Sequence, residues 1–381
     1  MSILAYSFRY LREFEALGTA GGINHFMDAI QKGDPDSFFV LNGDIASSFP
    51  LKEMLSTHKK TQGTATVLSV RMDKKKLNRY GCIVVDDASL KVKHFVEKPE
   101  TFVSDLISCG VYLFSTSIFS AINEAAAKRA AFNADNGIDI SQFSHKASLA
   151  ASNAAMSKGA DRVQLEDDLL PLLINQGSVF AHVMSIDDFW MPIKTGSSTI
   201  TANKMYLQYF LQANPKRLSL PAGSPTSPTS PMDFKSSKIT SPISGERTIP
   251  EIIAPAWIHP TAVIHPTAKI GPNAFIGANV LIGRGVRVRD AIILDKVEIN
   301  TESCILNAVV GWESKIGAWT RIEGSLEVEE AKDAATSKGF KIPSAAILGK
   351  GVSVGDELII RDCIVLPHKE LKQSFQREIL M

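Results

Sequence analysis

An aspartate at the end of an apolar run is the first residue that could do chemistry. The run at 38–41 stops at Asn42-Gly43-Asp44, which predicts a short central parallel strand that is buried on both faces. In open α/β sheets, ligands bind beyond the carboxyl ends of the strands. Asp44 would stand there, where a metal ion that bridges phosphates could bind. The alternative is that Asp44 caps the helix that begins near Leu51.

A glycine cluster precedes the next helical pattern. Gly18, Gly21 and Gly22 lie ahead of apolar residues with the spacing of one helix face, namely Ile23, Phe26, Met27 and Ile30. Bare amides at a helix N-terminus accept an anion, and glycine also lets a base ring lie flat on the backbone. The alternative is a plain loop, which this pattern indicates more often when it stands alone.

An acid and a base lie side by side at the end of another predicted strand. The alternating segment 92–98 ends in Glu97 and Lys98, and Pro99 terminates it. Glu97 could accept hydrogen bonds from sugar hydroxyls, while Lys98 could contact a phosphate. The alternative is a surface ion pair that contributes little free energy.

Composition excludes several classes of partner. The 41 Lys and Arg residues nearly balance the 40 Asp and Glu residues, so the chain has no basic footprint for nucleic acid or for a membrane surface. No apolar run has the length of a transmembrane helix, and the start lacks the features of a signal peptide. Four cysteines, Cys82, Cys109, Cys304 and Cys363, lie in apolar segments without metal-ligand or disulfide spacing. We therefore expect buried thiols and a cytoplasmic location.

A sheet with flanking helices must bring the polar residues together. The patterns predict helices at 51–60 and 117–129, and strands at 65–70, 78–85, 92–98 and 109–114. A segment rich in Ala, Ser and Asn at 130–160 indicates a surface insertion. The Ser/Pro-rich stretch at 213–250 indicates a disordered linker. Acids at 166–168 are interpreted as a solvated helix start rather than as ligands.

The last third of the chain repeats every six residues. The repeated aliphatic positions are Ile258, Ile264, Ile270, Ile276, Ile282 and Val288, then Cys304, Val310, Ile316 and Ile322, and finally Ala346, Val352, Leu358 and Ile364. Hexapeptide repeats predict a parallel β-helix whose core is built from these side chains. His259 and His265 are six apart and are interpreted as repeated turn residues rather than as a metal site. A charged insertion at 325–343 interrupts the repeats.

Five motifs in order carry a family resemblance. They are Leu17-Gly18-Thr19-Ala20-Gly21-Gly22, Leu41-Asn42-Gly43-Asp44, Tyr80-Gly81-Cys82-Ile83-Val84, Val96-Glu97-Lys98-Pro99 and Cys109-Gly110-Val111-Tyr112-Leu113-Phe114. This succession resembles the sugar-phosphate nucleotidyltransferases, and most closely the mannose-1-phosphate guanylyltransferases. The resemblance implies a Rossmann-like α/β nucleotidyltransferase domain followed by a left-handed parallel β-helix. Its chemistry joins a sugar 1-phosphate to a nucleoside triphosphate and releases pyrophosphate.

The resemblance also implies roles for individual residues. The implied nucleotide-binding residues are Gly18, Thr19, Gly21, Gly22, Asn42 and Asp44. The implied sugar-binding residues are Tyr80, Gly81, Glu97, Lys98, Ser108 and Gly110, with Lys98 at the sugar phosphate. Asp44 would be the metal ligand, for a Mg²⁺ ion that is bound weakly if at all.

Three departures from the family pattern argue against catalysis. The chain lacks the arginine-bearing glycine loop that opens the family, so we expect its start to be missing about two βα units, ~60 residues. The family's second metal-binding aspartate follows a tryptophan, whereas Pro192 stands at that position after Trp190, and Lys194 adds positive charge. Ser108 replaces an asparagine that usually reaches the sugar, which is a milder change because a hydroxyl still donates and accepts.

These losses point to the family's non-catalytic branch, the alpha or regulatory subunits. That branch implies a protein that binds GDP-mannose and restrains a catalytic guanylyltransferase subunit, with homo- and hetero-oligomers formed through the β-helix. The expected domains are 1–212, the linker 213–250, and the β-helix 251–381, whose inserted loop 325–343 would reach the partner. Two alternatives remain open: an active guanylyltransferase, and a structural β-helix protein with a degenerate front domain.

Overall fold

The computed structural model describes residues 9–135, 162–218, 249–325 and 345–381, together with two short strands, Thr336–Ser337 and Phe340–Lys341. The chain forms two compact units. The first holds the residues up to Ile45 and those from Phe49 to Trp190, and the second holds Ala46–Ser48 and the chain from Met191 onward. Most of the predicted insertion at 130–160 and of the predicted linker at 213–250 lies outside the described residues, so their character stays a prediction.

The helices predicted at 51–60 and 117–129 are confirmed among the described helices. They are α1 (Thr19–His25), α2 (Met27–Ile30), α3 (Leu51–Thr61), α4 (Ile118–Asp135), α5 (Leu170–Asn175) and α6 (Gly196–Ala213), with 3-10 turns at Lys74–Arg79 and Pro215–Arg217 and a π-helical turn at Leu165–Leu169. Helix α6 begins with a capping box in which the Thr195 and Ser198 side chains each bond the other's backbone N–H. Within the described parts of the chain, no helix is long and apolar enough to cross a membrane.

Strand β6 is the centre of the sheet in the first unit. The early strands are β1 (Ser37–Leu41), β2 (Ile45–Ser47), β3 (Ala65–Arg71), β4 (Gly81–Val85), β5 (Val92–Glu97), β6 (Leu106–Ser115), β7 (Val179–Val183) and β8 (Trp190–Pro192). Five of them follow the order β5-β4-β6-β3-β7, β1 pairs with β6, and β2 pairs separately with β8. Strands β1, β3 and β4 run antiparallel to β6, while β3 and β7 are parallel.

The prediction that 38–41 is a central parallel strand is wrong. Strand β1 pairs antiparallel with β6 and with no other described strand, and Leu41 at its end is 41% exposed. Phe38 and Phe39 nevertheless pack against hydrophobic clusters on opposite faces of the sheet. Apolar side chains on both faces indicate that a strand packs on both sides. They do not distinguish an edge strand from a central one, or a parallel strand from an antiparallel one.

The second unit is a parallel β-solenoid. Its strands are β9 (Glu251–Ile252), β10 (Ala256–Ile258), β11 (Val263–Ile264), β12 (Lys269–Ile270), β13 (Ala274–Ile276), β14 (Leu281–Ile282), β15 (Arg287–Ile293), β16 (Glu298–Ile299), β17 (Cys304–Val310), β18 (Lys315–Ile316), β19 (Arg321–Glu323), β20 (Thr336–Ser337), β21 (Phe340–Lys341), β22 (Ala346–Leu348), β23 (Ser353–Val354), β24 (Ile359–Arg361), β25 (Ile364–Val365), β26 (Glu370–Leu371), β27 (Phe375–Gln376) and β28 (Ile379–Leu380). Except for the hairpin β20–β21, these strands pair in parallel, coil upon coil. The predicted β-helix is confirmed, and aliphatic residues from successive coils form one core.

The period of the repeat shortens along the solenoid. Ala256 pairs with Ala274, whereas Ala291 pairs with Ala308, so the later coil is one residue shorter than the earlier one. A strict six-residue count therefore goes out of phase, and two predicted core residues are wrong. Cys304 is only half-buried and faces outward beside buried Ile305, and Ile364 faces outward beside buried Val365. The other three cysteines are buried, as predicted.

The repeated histidines are turn residues, as predicted. The Nδ1 atom of His259 accepts a hydrogen bond from the Thr261 backbone N–H at 3.2 Å, and His265 accepts one from Thr267 in the same way. The Thr261 hydroxyl in turn accepts from Asn279 N, one coil further on, at 2.8 Å. Each histidine thus closes a turn and supports contact with the next coil.

Candidate functional site

The glycine turn before α1 is fixed against a distant segment. Gly18 has φ +81°, and a Cβ there would lie 2.5 Å from the Val163 carbonyl oxygen. That oxygen accepts hydrogen bonds from Ala20 N at 3.0 Å and Gly21 N at 3.2 Å, while Val163 N donates to Leu17 O. The predicted anion-binding role of these amides is therefore wrong for Ala20 and Gly21, whose N–H groups are used internally. The second possibility, a flat backbone surface for a base, stays a prediction.

Thr19 connects this turn to the π-helical turn at Leu165–Leu169. The Thr19 hydroxyl accepts a hydrogen bond from Leu165 N at 2.8 Å and lies 3.2 Å from Gln164 Oε1 and 3.4 Å from Glu166 Oε2. Asp168 binds Arg129 through both carboxylate oxygens at 2.6 Å and accepts from Gln164 N at 2.7 Å. The acids at 166–168 are thus not simply a solvated helix start, because Asp168 anchors the segment and Glu166 faces the glycine turn.

Tyr112 continues the chain of hydrogen bonds into the sheet. Its hydroxyl donates to Glu166 Oε1 at 3.2 Å and lies 3.4 Å from the Ser108 hydroxyl. Burial of the ring, followed by the negative charge of Glu166, raises the pKa of Tyr112 far above its ordinary value. The phenol therefore stays a neutral donor at physiological pH. We call Thr19, Glu166, Tyr112 and Ser108 the tyrosine network.

The tyrosine network reaches the end of β1. The Ser108 hydroxyl accepts from Gly110 N at 3.4 Å, and the Gly110 carbonyl accepts from Asn42 N at 2.8 Å. Gly110 has φ +69°, and a Cβ there would collide with the Asn42 side chain, so only glycine fits. The structure thus brings together five predicted site residues: Gly18 and Thr19 at the start of α1, Asn42 after β1, and Ser108 and Gly110 on β6.

The other four predicted sugar-binding residues, Tyr80, Gly81, Glu97 and Lys98, form a second group on or next to the paired strands β4 and β5. Gly81 pairs with Glu97, and a Cβ on Gly81 would lie 2.8 Å from Glu97 Oε2. Lys98 N donates to Tyr80 O, and Lys98 Nζ lies 3.2 Å from Glu97 Oε1. The Lys98 side chain is 66% exposed, so this surface ion pair contributes little free energy and leaves the ammonium open to a ligand.

Trp190 ties the two groups together. Its ring packs edge-on against Tyr80 with centroids 5.4 Å apart, and its Nε1 donates to the Cys109 carbonyl at 2.8 Å. Cys109 lies between Ser108 and Gly110 in the sequence. The charge of Glu97 also raises the pKa of Tyr112, as a smaller cause than burial and Glu166. The negative charges of Glu97 and Glu166 therefore both favour the neutral form of the Tyr112 phenol.

The donor atoms do not form a resident magnesium site. Asp44 is half-buried just beyond β1, but the described residues contain no group of three His, Cys, Asp or Glu side chains that could hold a metal ion. Pro192 offers no side-chain oxygen on β8. Mg²⁺ sites in proteins usually combine one or two carboxylates with substrate phosphates, so Asp44 can contribute at most part of a site that a ligand completes.

Sequence reasoning missed Glu166 and Tyr112. Tyr112 was part of a motif but looked like a core aromatic residue, because its ring is fully buried and stacks on Phe114 at 5.8 Å. Glu166 stands in a run of acids that is typical of a helix start. The sequence signal for Glu166 is its position directly after Val163 and Leu165, which alternate as buried apolar residues. An acid that follows such a pattern is held close to the core.

Two family models match the chain. The model described as "Nucleotidyl transferase" matches residues 4–209, and the model described as "GMPPB C-terminal domain" matches residues 252–380. The first covers the sheet unit with the tyrosine network, and the second covers the solenoid.

Curated relatives align over nearly the whole chain. The zebrafish "Mannose-1-phosphate guanylyltransferase regulatory subunit alpha-A" is 40% identical over 385 residues, which cover 98% of this chain and 82% of the relative. The human "Mannose-1-phosphate guanylyltransferase regulatory subunit alpha" is 36% identical over 383 residues, covering 98% and 81%. A fission-yeast "Probable mannose-1-phosphate guanyltransferase" is 32% identical over 374 residues, covering 98% and 80%.

Proposed function

Because this chain belongs to the nucleotidyl transferase family, and within it to the mannose-1-phosphate guanylyltransferases, we propose that it is a regulatory subunit that binds GDP-mannose and restrains a catalytic guanylyltransferase subunit. The zebrafish and human relatives are named as regulatory subunits. The observation that carries the proposal is the combination of a continuous polar network for ligand binding with a proline where the family pattern has a carboxylate.

The polar groups match the chemistry of a nucleotide sugar. Glu97 and Glu166 are acceptors for ribose or hexose hydroxyls, and the exposed Lys98 ammonium suits a phosphate. Gly18 and Gly110 remove side chains at positions where the backbone runs close to another segment. In this proposal, the flat surface of the glycine turn takes the base, and the group formed by Tyr80, Gly81, Glu97 and Lys98 takes the mannose.

Pro192 and Lys194 argue against turnover. Phosphoryl transfer depends on neutralising the charge that develops in the transition state. Pro192 removes one carboxylate from the family pattern and Lys194 adds a cation, so a metal ion would be held on the protein by Asp44 alone. Mg²⁺ would then arrive with the ligand phosphates and bind weakly. A site of this composition can retain binding while losing catalysis.

The solenoid is the proposed assembly surface. In the regulatory interpretation, it forms homo- and hetero-oligomers, and the insertion at 325–343 reaches the catalytic partner. Insertions in solenoids lie on one face, which is often the binding face. The proposed location of the assembly is the cytoplasm, on the basis of cysteines without disulfide or metal spacing.

Binding is tested by calorimetric titration of the purified chain with GDP-mannose and with GDP-glucose. We expect saturable binding of GDP-mannose that Glu166→Gln weakens about tenfold, the effect of losing ~1.4 kcal/mol. Glu124→Gln is the matched control, because Glu124 is an exposed carboxylate that pairs with Lys128 on α4. Absence of binding, or equal affinity of both variants, would remove the proposed site.

Restraint is tested in a mixture with a catalytic guanylyltransferase subunit. We expect the initial rate of GDP-mannose formation to fall when this chain and GDP-mannose are both present, and deletion of 325–342 to relieve the inhibition without splitting the complex. The chain alone should form no GDP-mannose from GTP and mannose 1-phosphate. Turnover by the chain alone would instead establish the catalytic alternative.

A further inference from the structure

One corner of the solenoid is built from the same kind of residue in successive coils. Asn and Asp with positive φ recur there: Asn273 (59°), Asp290 (49°), Asn307 (46°) and Asp362 (51°). Asn and Asp tolerate this conformation better than other side-chain-bearing residues. Their side chains also connect neighbouring coils, as where Asn273 Nδ2 donates to Asp290 Oδ1 at 2.8 Å. We call these four residues the corner ladder.

The insertion enters the solenoid at the corner ladder. Ala291 pairs with Ala308 in one coil and Ala308 pairs with Ala346 in the next, so the second coil is more than twice as long as the first. The extra residues leave and return at nearly one point, because a Cβ on Gly324 would lie 2.6 Å from Ala345 Cα. Gly324 stands at the register position that Asn307 holds in the preceding coil, with its N–H bonded to Leu306 O at 2.9 Å, but it supplies no side chain.

Ser325 replaces the missing ladder side chain. Its carbonyl oxygen accepts from Asn307 Nδ2 at 2.6 Å, its N–H donates to Asp362 Oδ1 at 2.6 Å, and its hydroxyl donates to Asp362 Oδ2 at 2.7 Å. The Asp362 side chain is only 3% exposed, with Arg377 Nε at 3.8 Å. Both carboxylate oxygens of a buried acid are thus used to hold the first residue of the insertion.

The contact between Asp362 and Ser325 uses more hydrogen bonds than are needed to close a turn of the solenoid. Hydrogen bonds to a charged acceptor are shorter and stronger than neutral ones, especially away from solvent. In an earlier rung, Asn273 and Asp290 close their corner with a side-chain hydrogen bond of 2.8 Å. At the insertion, the carboxylate binds a backbone N–H and a hydroxyl of the same residue, which fixes both its position and its direction.

We propose that Asp362 is a positioning residue that sets where and in which direction the insertion leaves the solenoid, and that this anchor transmits the restraint on the catalytic partner. The inference rests on the proposed function, because Asp362 can affect the restraint only if the insertion acts on the catalytic partner. It goes beyond that function by naming a residue that acts through Ser325 and touches neither ligand nor partner.

Asp362→Asn is the test, because the amide keeps the shape but offers one oxygen where the carboxylate offers two. Asp290→Asn is the matched control, since it makes the same substitution on the same corner away from the insertion. We expect the Ser325 amide, which donates to Asp362 Oδ1, to exchange hydrogen about tenfold faster in Asp362→Asn, which corresponds to ~1.4 kcal/mol, and to stay within about twofold of its original rate in the control. Inhibition of the partner by the full chain should weaken in Asp362→Asn alone.

The midpoint of thermal unfolding separates anchoring from general stability. Equal midpoints with faster exchange of the Ser325 amide and weaker inhibition support the anchor, whereas equal exchange and equal inhibition in the two variants overturn it. If Asp362→Asn fails to fold, Ser325→Ala removes only the hydroxyl donor, and it should give a smaller change in the same two readouts; no change would overturn the proposal.

Deletion of 325–342 distinguishes a failure of the proposed role of the insertion from a failure of the Asp362 anchor. If the deletion leaves inhibition intact, the proposed role of the insertion fails, and if it relieves inhibition while Asp362→Asn does not, only the anchor fails.

Discussion

Replacing Gly18 by alanine tests whether the glycine turn is held by Val163. Gly18 has φ +81°, and the new Cβ would lie 2.5 Å from the Val163 carbonyl oxygen, which is backbone and cannot swing aside. The turn must therefore move away, and the hydrogen bonds from Ala20 and Gly21 to that oxygen must break or lengthen. Gly33 is a built-in control, because it also has positive φ, at +93°, but a Cβ there meets nothing within 4 Å.

The two substitutions differ by the cost of the clash. A positive φ costs an alanine about 1–2 kcal/mol, and the cost at Gly18 is no smaller than at Gly33 because its ψ of 166° lies in a region that is essentially confined to glycine. Losing two hydrogen bonds of about 0.5–1.5 kcal/mol each adds roughly 1–3 kcal/mol at position 18 only. We therefore expect Gly18→Ala to destabilise its surroundings by about 2–5 kcal/mol and Gly33→Ala by about 1–2 kcal/mol.

Hydrogen exchange measured by mass spectrometry reports this difference locally, which matters because a chain with two units need not unfold in a single step. Peptides that contain 17–22 and 162–170 should exchange faster in Gly18→Ala than in Gly33→Ala, and GDP-mannose affinity should fall in Gly18→Ala alone. Equal exchange in the two variants would show that Val163 does not hold the turn in solution. Faster exchange with unchanged affinity would show that the turn does not bind the ligand.

Three further predictions address the same unit. Tyr112→Phe removes a buried hydroxyl shared by Glu166 and Ser108, and we expect a loss of about 1–3 kcal/mol in the free energy of unfolding; a denaturant titration that shows no loss would contradict the network. Burial lowers the pKa of His58 below its ordinary value of 6.5, so the unfolded chain takes up the proton first and stability should decline as the pH falls below about 6.5. His58→Gln should flatten that decline in thermal unfolding, and an unchanged slope would exclude His58 as its source. Asp44→Ala should weaken GDP-mannose binding in the presence of Mg²⁺ and have little effect in its absence, whereas equal affinity with Mg²⁺ would remove the metal role of Asp44.

The solenoid was predictable because its period is written directly in the sequence. One aliphatic residue per side enters the core, so a six-residue interval is visible without knowledge of the contacts. The misplacement of Cys304 and Ile364 has a simple physical cause. A coil that is one residue short still closes, since one turn can lose a residue while the backbone pairing continues, and only the pairing itself, such as Ala291 with Ala308, shows where the loss occurs.

The sheet unit was less predictable because its site depends on contacts between distant segments. The motifs located Thr19, Asn42 and Gly110 individually, but not the hydrogen bond from Leu165 N to Thr19 Oγ1, which joins residues 146 apart. The same long-range packing uses the amides of Ala20 and Gly21. A glycine pattern reveals which backbone conformations are accessible, but it does not reveal which donors remain open for a ligand.

Sensing and catalysis place different demands on the same fold. Binding requires acceptors and donors that match the ground state of the ligand, and in the proposed function the tyrosine network with Glu97 and Lys98 supplies them. Catalysis requires, in addition, groups that stabilise charge only in the transition state. In the proposed function, Pro192 stands where the family pattern has a group of that second kind, while Glu166 and Tyr112 keep their contacts with Thr19 and Ser108. In the proposed function, a chain that meets the first demand without the second is suited to report the product concentration to an active partner.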